Sequence, residues 1–570
     1  MAVGFGSSDS KGSARARVGN YSGYDGNDNG HVNGNGGTVA SHVEPKYGGT
    51  AADQRDMQEM GRVQELRRNF KFMSVLGFGT TLIGTWNFFL GLIAFGLTDG
   101  GTAGLIYGFI ICLAGFFCVY LSIAEMASMA PTSGGQYHWV SEFAPTSLRK
   151  YLSYISGYLV AVGWQGSVCG TAFLAGTIIQ GLAILNDATY SPQPYQGTLL
   201  VWAVMVFCVF FNIFLAKRLP FVEGVLLIIY VIGFFVIIIP LWVLAPRSPA
   251  SEVFTTFNNE GGWSSTGVAV MVGLGGVVPS LAGYDCAVHM AEEIKDSSKT
   301  LPQAIVFGVA VNGLMGLIMV ITMCFTLGDT TSILATPTGY PFIQVFFNAT
   351  NSYPATNTMT AIVVIVFISA VISEIATSSR QLWSFARDGG LPFSRWIAKV
   401  CRAPGSPPPS HQARPQLTHT VFQINHNANI PLNAVLVSLG ITVLVSLINL
   451  GSTVALNAIN SVTISALMSS YILTISCVVY RRLSGQPLPS RRWSLGRAGM
   501  PINIAALVFL TPLFVFAFFP LATPVTPASM NWGIAMFGGV IVLATIYYAI
   551  EGRKSYTPPV MLLQREHYEM

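Results

Sequence analysis

Few charged groups lie inside the apolar stretches of this sequence, and those few limit the chemistry the chain can do. Asp285, Glu374, Glu223 and Glu125 sit within or at the ends of long apolar runs, and His289 follows Asp285 at i, i+4 spacing. An ionisable side chain in hydrocarbon is costly and by default marks the path of an ion, a proton or a charged solute. Asp285 is expected to meet a cationic solute or a proton, or else to hydrogen-bond a helix break. Glu374, in AVISEIATSSR, is a candidate for substrate preference or proton carriage, against simple pairing with Arg380. His289 is a candidate coupling group, against a packing role. Glu125 reads as a structural cap to an inner gate, and Glu223, just after Lys217 and Arg218, as an interfacial ion pair. Glu292, Glu293, Lys295 and Lys299 read as a solvated gate loop. No nucleophile accompanies Asp285 and His289, and no GxxxxGK[ST] phosphate loop occurs, which argues against an intramembrane enzyme and a nucleotide-driven pump. The eight cysteines show no CxxC spacing, so no metal site is expected, and no cofactor is implied.

Main-chain atoms are the other source of chemistry. The first apolar run reads SVLGFGTTLIGTW and the sixth VMVGLGGVVPSLAGYD. Glycine-rich breaks in corresponding spans of two halves point to a transporter binding site, because an interrupted helix leaves backbone groups and dipole ends free. Close helix packing through small residues is the competing explanation. On the first reading, amides over Gly79, Thr80 and Thr81 hold a carboxylate, and Gly77 belongs to the same site. The Gly275–Gly276 break and Tyr284–Asp285 receive an amine, and Trp86 or Trp164 offers an aromatic face to it.

These groups need a membrane frame. An ordinary soluble composition would give about 140 charged residues. The chain holds 30 Lys+Arg and 25 Asp+Glu in 570 residues, with 52% hydrophobic residues and a mean hydropathy of +0.54. Soluble enzyme, nucleic-acid binder and disordered protein are excluded. Runs of about 20 apolar residues, enough to cross a bilayer as helix, occur twelve times: 72–96, 103–129, 151–185, 198–216, 221–245, 266–290, 302–327, 358–379, 431–450, 452–479, 501–521 and 530–551. Basic residues fall in alternate connections, and Arg247 alone lies on the other side, so both termini are expected in the cytoplasm. The sequon Asn348-Ala349-Thr350 then falls outside and is a candidate glycosylation site. Residues 1–70, with a Gly-, Ser- and Asn-rich start, read as a disordered cytoplasmic tail; Lys11 and Lys46 on it are candidate ubiquitin sites. The domain reading is a core over 71–500, spans 11 and 12 over 501–551, and a cytoplasmic tail over 552–570. The second and seventh runs start 199 residues apart and the fifth and tenth 231, an excess that coincides with the Pro-, His- and Asn-rich stretch 402–429, read as a linker insertion or a gene-model artefact.

Five motifs carry a family resemblance: GFGTTLIGTW (77–86), AEMASMAPTSGGQYHWVSEFAP (124–145), GYDCAVHMAEEIKDSSKTLPQAI (283–305), SSRQLWSFARDGGLP (378–392) and PLNAV (431–435). Through them the chain resembles the amino acid–polyamine–organocation superfamily, and within it the fungal amino-acid/choline transporters, which include GABA and choline permeases. The resemblance implies an all-α membrane protein with a five-plus-five inverted-repeat core and two further helices, twelve in all. It implies secondary active transport of a small amine-bearing solute by alternating access, coupled to protons, with substrate at the two breaks, and most simply a plasma-membrane address, a vacuolar one being the alternative. Export of a cationic secondary metabolite, an alkaloid from a fungal gene cluster, and nutrient sensing on the same scaffold are the alternatives. Some relatives use a fifth-span lysine in proton coupling; the fifth span here holds none, so that role does not carry over.

Overall fold

The computed structural model describes residues 48–187, 189–400, 430–450, 455–527 and 529–561. The sequence expectations for the start of the tail, Lys11, Lys46, the 402–429 linker and the chain after 561 lie outside these residues. Among the described residues eleven helices are long and apolar enough to cross a membrane. They are span 1 (Phe72–Thr98), span 2 (Gly101–Met129), span 3 (Arg149–Asn186), span 4 (Pro194–Phe214), span 5 (Ala216–Leu244), span 7 (Ser297–Thr326), span 8 (Tyr353–Arg387), span 9 (Leu432–Leu450), span 10 (Leu456–Leu483), span 11 (Gly496–Phe516) and span 12 (Gly533–Met561). The twelfth expected span, the sixth, falls short because it is broken. It runs as helix over Thr266–Gly273, tightens into 3-10 turns at Leu274–Gly276 and Val278–Ser280, and resumes at Cys286–His289.

Burial sorts the spans into two rings. In their most apolar stretches 83% of span 1 and 78% of span 8 are buried, against 28% of spans 9 and 11 and 11% of span 12. Spans 1 and 8 therefore pack inside the bundle, and spans 9, 11 and 12 lie at its periphery. The exposed large residues of span 5, such as Phe221, Ile228, Phe235 and Val243, form an apolar stripe on the outside of the bundle.

Span 1 is broken, but not where its glycines first suggested. Gly77 to Thr81 lie inside a continuous helix, Phe72–Ile83. The chain turns at Gly84, with φ 45° and ψ 45°, and a second helix runs over Thr85–Thr98. A left-handed residue costs a side chain about 1–2 kcal/mol and glycine almost nothing, which places the break at Gly84. Gly77 is there for close packing: a Cβ on it would lie 2.8 Å from the Glu223 carbonyl oxygen of span 5. Here the small-residue packing explanation is the right one. In the sixth span the break is real, and Gly283 adopts φ 107°. Gly84 and Gly283 stand 199 residues apart, the offset expected between the halves.

The segment before span 1 is folded from about residue 48, not at 71. Thr50 caps a short helix, Ala51–Glu59, in a reciprocal capping box with Asp53. Beyond it, Phe70 pairs with Ile294 in an isolated parallel bridge, its amide bonding Glu293 O at 3.0 Å and its carbonyl receiving the Lys295 amide at 2.9 Å. Arg68, fully buried, donates to the carbonyls of Ala291 at 3.1 Å and Ile294 at 2.6 Å and pairs with Asp53 at 3.2 Å. Composition misled the tail boundary because this strap is polar yet satisfied by the backbone it crosses.

Candidate functional site

Between the two breaks lies a small cavity. Span 1 contributes Leu82 and Ile83 from the end of its first half and Phe88 from the start of its second. The broken sixth span contributes Pro279, Ala282 and Gly283; Trp164, Ser167 and Thr171 come from span 3, Glu374 from span 8, and Asn460 and Thr463 from span 10. A second cavity shares Asn460 and Ile464 with it and continues past Gly275 to Asn531, toward the end of the bundle with few charges.

Glu374 is the charged side chain in this wall. It is 1% exposed. Ser167 Oγ donates to its Oε1 at 2.6 Å and Thr171 Oγ1 at 2.9 Å, while Oε2 has no protein partner. A buried carboxylate oxygen without a donor is expensive, and this one belongs to a residue that lines a cavity. Glu374 does not pair with Arg380, which is held by Glu293 at 2.8 Å. The indole of Trp164 stands in the same wall. Leu82 and Phe88 place the C-terminal end of one half-helix and the N-terminal turn of the next beside the cavity. Their dipole ends favour an ammonium and a carboxylate respectively.

The other sequence candidates separate. Gly79, Thr80 and Thr81 do not present free amides, since these lie inside the helix; the second half of span 1 begins at Thr85, and its Trp86 amide is taken by the Tyr230 hydroxyl. Trp86 is buried against Tyr230, with ring centroids 5.3 Å apart, and does not reach the cavity. Gly275 opens on the outer cavity, whereas Gly276 packs on span 1, where a Cβ would lie 2.7 Å from Leu92 O. Tyr284 is buried and bonds the Gly308 carbonyl at 3.3 Å. Asp285 is saturated by protein: Gln136 Nε2 donates at 2.6 Å, Trp164 Nε1 at 3.3 Å and the Tyr471 hydroxyl to the other oxygen, with His289 Nε2 at 3.5 Å. It ties spans 3, 6 and 10 together beneath the cavity. His289 fixes its other nitrogen on Ser133 O at 2.9 Å. Even the main chain of the break is partly claimed, because the Tyr120 hydroxyl bonds Leu281 O at 2.9 Å and receives the Gly283 amide at 2.8 Å.

Sequence reasoning missed Ser167, Thr171, Asn460 and Thr463. Their signal was present as polar residues one turn apart in otherwise apolar spans: GSVCGT in span 3 and NAINSVT in span 10.

Below Asp285 the bundle is closed by ion pairs. Arg62 grips Asp388 through both oxygens, at 2.7 and 2.8 Å, and the Tyr137 hydroxyl adds a bond of 2.9 Å. Arg387 holds Glu292 through two bonds of 2.9 and 3.0 Å and stacks 4.3 Å over Trp383. Glu125 receives Arg482 at 2.5 Å and Arg491 at 3.1 Å, which ties it to the end of span 10 and to the loop that follows. His138, in the short helix Gln136–Phe143, is pushed down to about 3 by burial and by nearby Arg62, and stays neutral at physiological pH. Glu292 is fully buried, and an unpaired buried charge costs about 3–5 kcal/mol. Arg387→Ala is therefore expected to loosen this end. The check is thiol labelling of a cysteine placed at Ser133, which bonds Glu292 at 3.3 Å: the rate should rise several-fold in the Arg387→Ala background, and an unchanged rate would separate the pair from closure.

Asn348 is exposed near the end of the helix Pro341–Thr350, at the sparsely charged end.

A bundle of apolar spans with paired helix breaks around a mid-depth polar cavity is that of a multi-pass solute transporter. The chain belongs to the amino acid permease family, whose model matches residues 70–542. Over 508 residues it is 28% identical to a choline transporter of Saccharomyces cerevisiae, covering 88% of this chain and 85% of the relative. It is 26% identical over 526 residues to amino-acid permease 2 of Neurospora crassa, covering 91% and 92%. An uncharacterised amino-acid permease of Schizosaccharomyces pombe is 27% identical over 526 residues, covering 90% and 89%.

Proposed function

We propose that this permease accumulates a small amine-bearing solute, an amino acid, GABA or a choline-like cation, by alternating access driven by a proton gradient. The observation that carries this reading is Glu374: a buried carboxylate with one unpartnered oxygen, in a cavity that also holds the Trp164 ring. An ammonium placed there gains a charge-assisted contact and an aromatic face. A zwitterion gains more, since its carboxylate meets the N-terminal dipole end of the second half of span 1, from which Phe88 lines the cavity. The ion-paired end is the cytoplasmic one, and the cavity opens outward; the support is the charge asymmetry, with Arg247 the lone basic residue opposite. The plasma membrane is the address that fits best, with Asn348 available for glycosylation.

Uptake of a labelled panel (GABA, neutral and basic amino acids, choline, polyamines) in a transport-deficient host tests the proposal. One or more amine-bearing members should accumulate above the external concentration, and a protonophore should collapse the gradient. Equilibration without accumulation, indifferent to the protonophore, would rule out uphill import.

A further inference from the structure

Glu223 overturns the interfacial ion pair expected from its neighbours in sequence. Lys217 and Arg218 are exposed, while Glu223 is fully buried and forms no ion pair among the described residues. It sits where spans 1, 5 and 8 meet. Thr81 Oγ1 of span 1 donates to Oε2 at 3.0 Å, and Ser373 Oγ of span 8 donates to Oε1 at 2.7 Å. It does not line the central cavity.

Each of these hydroxyls has a second acceptor one helical turn back. Thr81 Oγ1 lies 2.9 Å from Gly77 O, and Ser373 Oγ lies 3.2 Å from Ser369 O. A hydroxyl has one proton to give and can accept as well. With Glu223 ionised, both hydroxyls point at the carboxylate. With Glu223 protonated, its own O–H donates to one hydroxyl, which turns its hydrogen to the carbonyl behind it. Both protonation states are thus hydrogen-bonded without moving a heavy atom. Glu374 differs: its Oε2 is open and awaits a ligand.

The groups around Glu223 supply no counter-charge. Span 1 presents Thr81, and span 8 presents Ser373, with the Glu374 carboxylate next in sequence. The Cys286 thiol of span 6 lies within electrostatic reach of both carboxylates. Span 7 packs with Asn312, which bonds Tyr230 of span 5 at 2.9 Å; its Lys299 is exposed at the charged end. Two acids thus share an apolar region with no cation between them, and a charge on one raises the cost of charge on the other.

We propose that Glu223 is the proton-carrying residue of this permease, and that Glu374 and Glu223 divide the work, one holding the amine and the other the coupled proton. A proton on Glu223 leaves Glu374 ionised and ready for an ammonium, so proton and solute load together on one side and leave together on the other. Because the two hydroxyls belong to span 1 and span 8, the proton also sets how many donors tie those spans to span 5. The division of labour rests on the transport reading above, but the proton site does not need it.

The test is infrared difference spectroscopy of the purified full-length protein in liposomes, titrated with acid in the absence of any solute. A protonated-carboxyl band should grow in the wild type, vanish in Glu223→Gln and persist in Glu374→Gln. Glu223→Asp should keep a band at a displaced midpoint, which covers the case where the amide variant folds poorly. A titrating band unaffected by Glu223→Gln, or one that never titrates, would overturn the proposal even if no solute were ever found to move. For any solute from the panel that is transported, Glu223→Gln should retain exchange of labelled for unlabelled solute while losing accumulation and pH dependence. Loss of exchange equal to that in Glu374→Gln would make Glu223 merely structural.

Discussion

Glu374→Gln is expected to lower affinity for an amine-bearing solute by about 30-fold to several thousand-fold. Losing one partner of a buried charged hydrogen bond costs roughly 2–5 kcal/mol, and each 1.4 kcal/mol is about tenfold. The substitution is nearly isosteric, and the amide oxygen still accepts from Ser167 and Thr171, so the fold should survive. The amide NH₂ then occupies the place of Oε2 and turns a site for a cation into a hydrogen-bond donor. Scintillation proximity binding of a transported member of the panel, on purified variant and wild type of matched monodispersity, reads the effect. Affinity within about threefold of wild type, a shift of under 1 kcal/mol, would remove Glu374 from the site. Ser167→Ala, which removes one of two donors to the bound oxygen, should have a smaller effect in the same direction.

The second large effect is structural. A Cβ on Gly273 would lie 1.5 Å from Asp99 O and 2.7 Å from Asp99 C, a bonding distance rather than a contact. The obstacle is main chain at the end of span 1, which is itself pinned because Asp99 accepts the Gly261 amide at 3.1 Å. Overpacking a core with a methyl usually costs about 1–3 kcal/mol, because side chains can shift; here no flexible atom is available to yield. Gly273→Ala is therefore expected to yield almost no monodisperse protein by fluorescence-detected size exclusion. Gly275→Ala, two residues on, meets nothing within 4 Å and should express like the wild type. Equal yields from the pair would mean that spans 1 and 6 separate more easily than their packing implies.

Much of the frame was readable from residue types. Twelve apolar runs follow from the cost of unpaired backbone in lipid, and twelve spans, the first and sixth of them interrupted, match the runs to within about five residues, apart from span 8, which runs on to Arg387 because its last two turns are buried in the ion-paired end, and span 12, which ends at Met561. Glu374 was legible because a carboxylate in an apolar span demands a reason. Other features needed three dimensions. GFGTT looked like a break because glycine is a poor helix former, yet Gly77 was spent on letting span 5 approach. The residue that bends the chain, Gly84, stood unremarked in the same motif. Glu223 was misjudged because sequence shows neighbours along the chain but not the face on which a side chain lies. Asp285 was singled out as costly, and three donors of the protein itself satisfy it.

The strap of residues 48–70 carries a practical lesson for anyone building reporters of this permease. Its Arg62 is hooked to the end of span 8 and its Phe70 to the chain leaving span 6, so it works like a bolt thrown across a double door. Fluorophores or fusion partners attached ahead of Thr50 leave these contacts in place. Trimming the chain back to the first apolar residue, a common step when shortening membrane proteins for study, removes Arg62 and Arg68 and with them the bonds to Asp388, Ala291 and Ile294.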